Sequence, residues 1–346
     1  MCLFLCLAGL GILAYLAQRD AQGDSRLFFI LPAETGSPRF DVEKIEEFSE
    51  KEFLLTYQIL GSERVSLSHA EYSVTLVATN SSYAQIMGLP MLEGSFFSKQ
   101  AWTGKLRHAV LNEKAAFTIF GSNKIAGNRF RIRNDTWIVT GVISDGNEDR
   151  SRVYIPSSTR NGEADALALT NSGGLDEAYI KNSVKTLGIR DGDFHYIDMG
   201  TQYCLLWNRV EVIPLLFFGF LLLSLLRPLV LRFREAWFNL KKDLNRHYAV
   251  EILKKKSKSV LRLTFFALTL LLFPGLTLFL FLRLASVCLP WQDIPSLASL
   301  NLDLFYPHLV RIRNFELISR GFFGISLIFL ALFFLGFNIR FLEKKM

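Results

Sequence analysis

The side chains best suited to chemistry are few and scattered. Histidines stand at 69, 108, 195, 247 and 308. None is in His-x-x-x-His spacing, and no Cys-x-x-Cys pair exists, so no local motif brings two metal ligands together. Asp145, Glu148 and Asp149 cluster after an expected strand. Three carboxylates at that spacing could hold calcium or share acid–base work, and they could equally sit in a solvated turn, which is the expectation here. Gly-x-x-x-x-Gly-Lys-Ser/Thr is missing, so the chain has no phosphate-cradling loop of its own. Gly-x-Ser-x-Gly is missing too. The expectation is therefore a chain that is not an enzyme, with no catalytic, cofactor or metal site. Of the four cysteines, Cys2 and Cys6 lie in an apolar block. Cys204 and Cys288 are expected just outside membrane spans, either as unrelated small apolar residues or as a disulfide in an oxidising compartment.

What could position such residues is dictated by the apolar excess, 50% of the chain with 31 Phe. It is concentrated in four blocks, Cys2–Ala17, Val212–Leu231, Leu263–Leu282 and Gly321–Ile339. A hydrocarbon core of about 30 Å needs about 20 apolar residues at helical rise. The first block is short and can be met by local thinning of the bilayer. It has no basic flank and no small-x-small cleavage pattern, and is read as an uncleaved anchor. Arg232–Arg262 holds ten Lys or Arg against three acids, whereas Gln18–Arg209 holds twenty-one basic and twenty-four acidic residues. Short basic loops stay in the cytoplasm. Both termini are then cytoplasmic and the large segment is outside. The formal net charge of +7 is a topological signal, and nucleic-acid binding is disfavoured.

The expected fold class is a membrane protein with four transmembrane α-helices and an α+β extracytoplasmic domain inserted between helices 1 and 2. In order these are helix 1 at 1–18, the outer domain at 19–209, helix 2 at 210–231, a basic cytoplasmic coupling loop at 232–262, helix 3 at 263–283, an outer loop at 284–316, helix 4 at 317–339 and a cytoplasmic tail at 340–346. Within the outer domain, alternation and β-branched enrichment predict strands over Leu27–Leu31, Phe53–Leu60, Tyr72–Ala78, His108–Leu111, Arg129–Arg133, Trp137–Ile143 and Val153–Ile155. Helices are expected after Asp41 through Phe48, after Asn80 through Met87, from Asn112 to a stop at Gly121, and over Leu175–Leu187. Asn161–Gly174, rich in small and polar residues, is expected to be a loop.

Two further segments bear on function. In the cytoplasmic loop, Phe233, Trp237, Leu240, Leu244 and Tyr248 recur at spacings of three or four among basic residues. Such an amphipathic helix can lie on anionic lipid headgroups or dock a cytoplasmic partner. In the outer loop, Trp291 and Tyr306 suit a membrane-interface belt. Arg227, Arg283 and Arg320 lie near span ends, and no ionisable residue occupies a mid-bilayer position as an ion relay would need. Pro274-Gly275 interrupts the third span, as a kink or a hinge.

An ordered series of short motifs then points to a family. It runs Val74–Ala78, Tyr83 and Gly88-Leu89-Pro90-Met91-Leu92-Glu93-Gly94-Ser95-Phe96-Phe97. It continues with His108-Ala109-Val110-Leu111-Asn112-Glu113-Lys114-Ala115-Ala116, Phe120-Gly121, Ile125-Ala126-Gly127, Arg129-Phe130-Arg131-Ile132, Trp137–Asp145 and Val153-Tyr154-Ile155-Pro156. This series resembles the extracytoplasmic core domain of MacB-type ABC transporter permeases, members of the FtsX-like permease superfamily. Its glycines and its Asn112 cap read as structural and identify a fold. The resemblance implies a permease subunit in a bacterial inner or plasma membrane, paired as a homo- or heterodimer, in contact with membrane lipid and with a separate ABC ATPase, and able to meet an extracytoplasmic adaptor. The ATPase would dock on Trp237, Leu240, Leu244 and Tyr248, and its closure would be relayed to the outer domain for export or extraction of a substrate. The alternative is an FtsX-like regulator of outer cell-wall hydrolases. The outer loop at 284–316 is longer than the resemblance implies.

Overall fold

A computed structural model describes residues 16, 26–33, 39–49, 54–147, 149–160, 162–170, 177–185, 187, 192–244, 257–288, 301, 303–321 and 324. Two compact units emerge. One comprises Leu16–Cys204 with Ile294–Glu316, and the other Met1–Tyr15, Leu205–Asp293 and Leu317–Met346.

The first unit is α+β. Its described strands form a single sheet: β1 (Leu27–Pro32), β2 (Leu55–Leu67), β3 (Ala70–Thr79), β4 (Met91–Gly94), β5 (His108–Asn112), β6 (Arg129–Ile132), β7 (Asp135–Ile143), β8 (Arg152–Pro156), β9 (Ala166–Thr170) and β10 (Phe194–Asp198). Their order is β10-β1-β9-β2-β3-β8-β5-β7-β4, with β6 bridging β2 and β7. The pairs β3–β8 and β5–β7 are parallel and the rest antiparallel. Parallel pairing needs crossovers. Helices α1 (Val42–Ser49), α2 (Tyr83–Ile86), α3 (Lys99–Thr103), α4 (Glu113–Phe120) and α5 (Glu177–Lys185) lie in the connections.

Side chains alternate across a strand, and the two faces of this sheet differ. One face presents Phe28, Ile30, Leu55, Val74, Leu76, Leu111, Val153, Ile155, Leu167 and Leu169, packed with Ile45 of α1, Ala115, Ala116 and Ile119 of α4 and Ile180 of α5. The residues between them, among them Phe29, Gln58, Thr79, Asn112, Arg152 and Tyr154, are also buried, so the second face is covered as well.

All seven predicted strands are present, with β2 and β3 longer than expected, and three further strands were missed. β9 lies within the expected loop at 161–174. Ala166-Leu167-Ala168-Leu169 alternates small and large residues, and burial on both faces removes the polar signal that marks a half-exposed strand. β4 and β10 are short edge strands. The caps behave unevenly. Asn112 accepts from the Ala115 amide at 2.9 Å, and Gly121 ends α4 at φ 73°. Asp41 accepts from the Glu43 amide at 3.0 Å. Asn80 caps nothing. Its side chain accepts from Thr56 Oγ1 at 2.8 Å and donates to the Leu55 carbonyl at 3.0 Å, while Ser82 precedes the short α2.

Two helices are long: α6 (Met199–Leu244), which starts in the first unit and continues into the second, and α7 (Ser257–Cys288), within the second. Asp198 caps α6 by accepting from the Gly200 amide at 3.0 Å and Thr201 Oγ1 at 2.6 Å. Among the described residues, Val260–Leu280 of α7 is the stretch long and apolar enough to cross a bilayer, with mean hydropathy 2.2. The helix continues through Pro274, so Pro274-Gly275 does not end it. The predicted second span lies within α6. The first and fourth spans fall largely outside the described residues.

Candidate functional site

The buried polar centre of the outer domain sits on the second face of the sheet. Strand β8 contributes Arg152 and Tyr154, two residues apart and so on one face. Asp145, just past β7, accepts from Tyr154 Oη at 2.9 Å, from Asn112 Nδ2 at 3.2 Å and from the Asn147 amide at 2.9 Å. Asn112 Nδ2 also donates to the Arg150 carbonyl, and its Oδ1 accepts the amides of both Ala115 and Arg152 at 2.9 Å. One asparagine thus caps α4 and ties β5 to β8. Asp145 is 2% exposed, which corrects the expected solvated turn. Its carboxylate is engaged by three donors, a structural acceptor in place of a free acid or base.

Burial pushes Tyr154 and Tyr83 well above the ordinary phenol range, Tyr154 further so by Asp145. Tyr57 is raised chiefly by burial as well. These hydroxyls stay protonated and can donate. Burial works against the Arg152 guanidinium, but the Asp145 charge and a hydrogen bond with Tyr154 favour its charged form, and the balance lies above its ordinary value. Phe96 packs beside Tyr154 and Tyr83, with ring centroids 6.4 and 6.3 Å away.

The remaining partners come from the end of the outer loop between the last two predicted spans. Asp303 pairs with Arg150 and, at 3.4 Å, with Arg152 Nη2. The Arg152 guanidinium lies 4.8 Å from the centroid of the Tyr306 ring, a cation–π geometry. Gln58 is two-sided: its Nε2 donates to Tyr83 Oη, and its Oε1 accepts from the Phe305 amide at 2.8 Å. Phe305 stacks on Phe29 with centroids 4.9 Å apart. His308 Nε2 is 3.0 Å from the Met87 carbonyl, and Tyr306 Oη donates to the Gly146 carbonyl at 2.9 Å. Residues 308–321 are helical. The expected interfacial role of Tyr306 is corrected, because this ring packs on the outer domain; Trp291 lies outside the described residues. Sequence reasoning missed this site. Its only signal was two arginines flanking Ser151 and a distant Asp-Leu-Phe-Tyr-Pro-His run.

A profile of the MacB-like periplasmic core domain matches residues 1–185 of the 346. The chain belongs to the MacB-like periplasmic core domain family. It is thereby a MacB-like ABC permease, and proteins of this family are inner-membrane proteins with a periplasmic domain. Solved structures that resemble this MacB-like chain include the periplasmic region of MacB from Actinobacillus actinomycetemcomitans, at 16% identity and TM-score 0.45, covering 51% of this chain and 91% of that one. Another is the extracellular domain of the noncanonic ABC-type transporter YknZ from Gram-positive bacteria, at 15% identity and TM-score 0.40, covering 49% and 99%. A search of curated proteins found no significant match.

The residues expected to dock an ATPase are partly placed. In this MacB-like protein Trp237 is 47% exposed on α6 with Phe238 beside it, and Leu240 is half-buried. Leu244 is the last residue of the same helix, and Tyr248 lies outside the described residues. The stripe therefore continues the helix of the second predicted span. Cys204 is exposed, and the side chain of Cys288 lies outside those described.

Proposed function

We propose that this chain is the permease subunit of a MacB-like ABC system. It couples ATP hydrolysis on a separate ATPase subunit to movement of its periplasmic domain, for export or extraction of a substrate. The family match over residues 1–185 carries this reading. Four membrane helices, with both termini cytoplasmic and a permease dimer, complete the proposed assembly. The continuity of α6 supports the coupling: the helix begins directly after β10 and runs to Leu244, carrying Trp237 and Leu240 near its far end.

The test is recovery of the ATPase on the purified membrane protein. Large aromatics at an interface centre often cost about 2 kcal/mol or more on truncation. Trp237→Ala with Leu240→Ala should therefore weaken recovery by well over tenfold, about 1.4 kcal/mol per factor of ten. A helix bound only to headgroups would instead respond to neutralising Lys241, Lys242 and Arg246, at about 1 kcal/mol per charge. Undiminished ATPase recovery by the apolar double variant would overturn the docking assignment.

A further inference from the structure

We infer that residues 303–308 form a releasable latch on the periplasmic domain, with Asp303 as its bolt, Arg152 as its fixed catch and Phe305 as its plug.

The segment is held in a way that lets it leave without unfolding the sheet. Residues 303–307 are in turns, and no strand of the sheet pairs with them. The cluster of apolar residues on the first face of the sheet includes none of them. Every ladder and that core would survive undocking. The catch would also survive, because Asp145, Tyr154 and Asn112 bind one another and the β8 backbone independently of the segment. Among the contacts that would break are the Asp303 pairs with Arg150 and Arg152, the Phe305 amide on Gln58, the contacts of Phe29 with Phe305 and His308, the burial of Leu304, the Tyr306 contacts and the His308 bond to Met87.

The docked state is held at Arg152 by incomplete bonding. The Arg152 side chain is 0% exposed, yet Nε and Nη1 have no hydrogen-bond partner among the described residues. A buried donor left unpaired opposes the burial that put it there. Its bond to Asp303 is long at 3.4 Å, and Asp303 is itself 31% exposed and shared with Arg150 at the surface, while Tyr154 holds the guanidinium from the sheet side. The arginine thus sits in a place that undocking would open to water. Phe305 is the opposing apolar contribution, fully buried against Phe29. A single apolar plug and an ion pair shared with the surface are few contacts to break, which suits a segment that switches between two states. By sequence, 303–308 lies between the last two predicted spans, so a membrane event could reach the domain by a route other than α6. That consequence rests on the permease reading. The latch itself does not.

The test uses the intact protein in lipid nanodiscs, without any ATPase. Phenylglyoxal modification of Arg152, mapped by peptide mass spectrometry, reports undocking. Hydrogen exchange at the Val153 and Tyr154 amides reports opening of β8. Arg131, exposed on β6, is the internal reference for reagent reactivity. A latch predicts that Arg152 reacts at least tenfold faster than β8 opens. It further predicts that Asp303→Ala accelerates Arg152 modification about tenfold or more, with β8 exchange unchanged. Arg152 reacting only as fast as β8 opens would show that 303–308 is a permanent part of the fold and overturn the latch. Asp303→Ala accelerating both together, or neither, would overturn it equally. Should that variant fail to fold, the comparison of rates in the parent protein decides alone.

Discussion

Asp145 and its neighbours show how much one buried carboxylate can organise. It satisfies a phenol, an amide side chain and a backbone amide, and its charge offsets the cation of Arg152. Replacing it with Ala strands three donors and leaves the arginine less compensated, a loss of about 3–5 kcal/mol. Asp149, exposed nearby, should cost no more than about 0.5 kcal/mol on the same change. Urea unfolding of the two variants, followed by Trp fluorescence, makes the comparison; equal effects would refute the network. The raised tyrosines give a pH signature. Above the ordinary phenol value near 10, the unfolded chain releases protons that folded Tyr57, Tyr83 and Tyr154 retain. The unfolded state then binds fewer protons, so stability must fall as pH rises, by about 1.4 kcal/mol per pH unit for each tyrosine. Tyr83→Phe should flatten that slope by one proton equivalent between pH 10 and 11.5, and an unchanged slope would remove Tyr83 from the account. None of this was legible from local sequence. Asp145 looked like a turn residue because its partners, Asn112 and Tyr154, are joined to it only through the sheet.

At the scale of elements, β4 meets β7 where two glycines face each other, Gly94 opposite Gly141. A Cβ on Gly94 would lie 2.2 Å from the Thr140 carbonyl oxygen, and its φ is +66°. Gly127 also has a positive φ, +91°, but open space around it. Gly94→Ala should therefore cost roughly 2–5 kcal/mol, clash added to backbone strain, and Gly127→Ala roughly 1–2 kcal/mol, strain alone. Thermal unfolding of both variants tests the difference in rank. The motif run around Gly94 and Gly127 was readable because it encodes such local geometry, as was α4 between Asn112 and Gly121. The strands β2, β3, β5 and β7 were readable from β-branched alternation. β9 was not, since its alternation is of size and both faces are buried. The docking of 303–308 was not either, because its partners Gln58, Met87 and Arg152 are more than a hundred residues away. Composition also misled at Tyr306, an aromatic beside a proline that reads as an interfacial anchor until its contacts are known.

For the molecule as a whole, charge asymmetry and family membership make a joint demand. The MacB-like domain faces the periplasm, and the proposed topology puts the basic stretch of net +7 between Arg232 and Arg262 inside. The two can be checked in one protein. With Cys2, Cys6, Cys204 and Cys288 replaced by Ser, a cysteine is placed at His69, exposed in the β2–β3 turn, or at Asn239, exposed on α6. A membrane-impermeant maleimide added to spheroplasts should label His69→Cys and spare Asn239→Cys until the membrane is permeabilised. Both sites are exposed, so a difference in labelling reports the side of the membrane and not burial. Asn239 stands between Trp237 and Leu240, which makes the second arm a direct test of whether the stripe can reach a cytoplasmic ATPase. Labelling of Asn239→Cys in sealed spheroplasts would put the stripe outside, exclude ATPase docking there, and remove α6 as the path from ATP hydrolysis to the periplasmic domain.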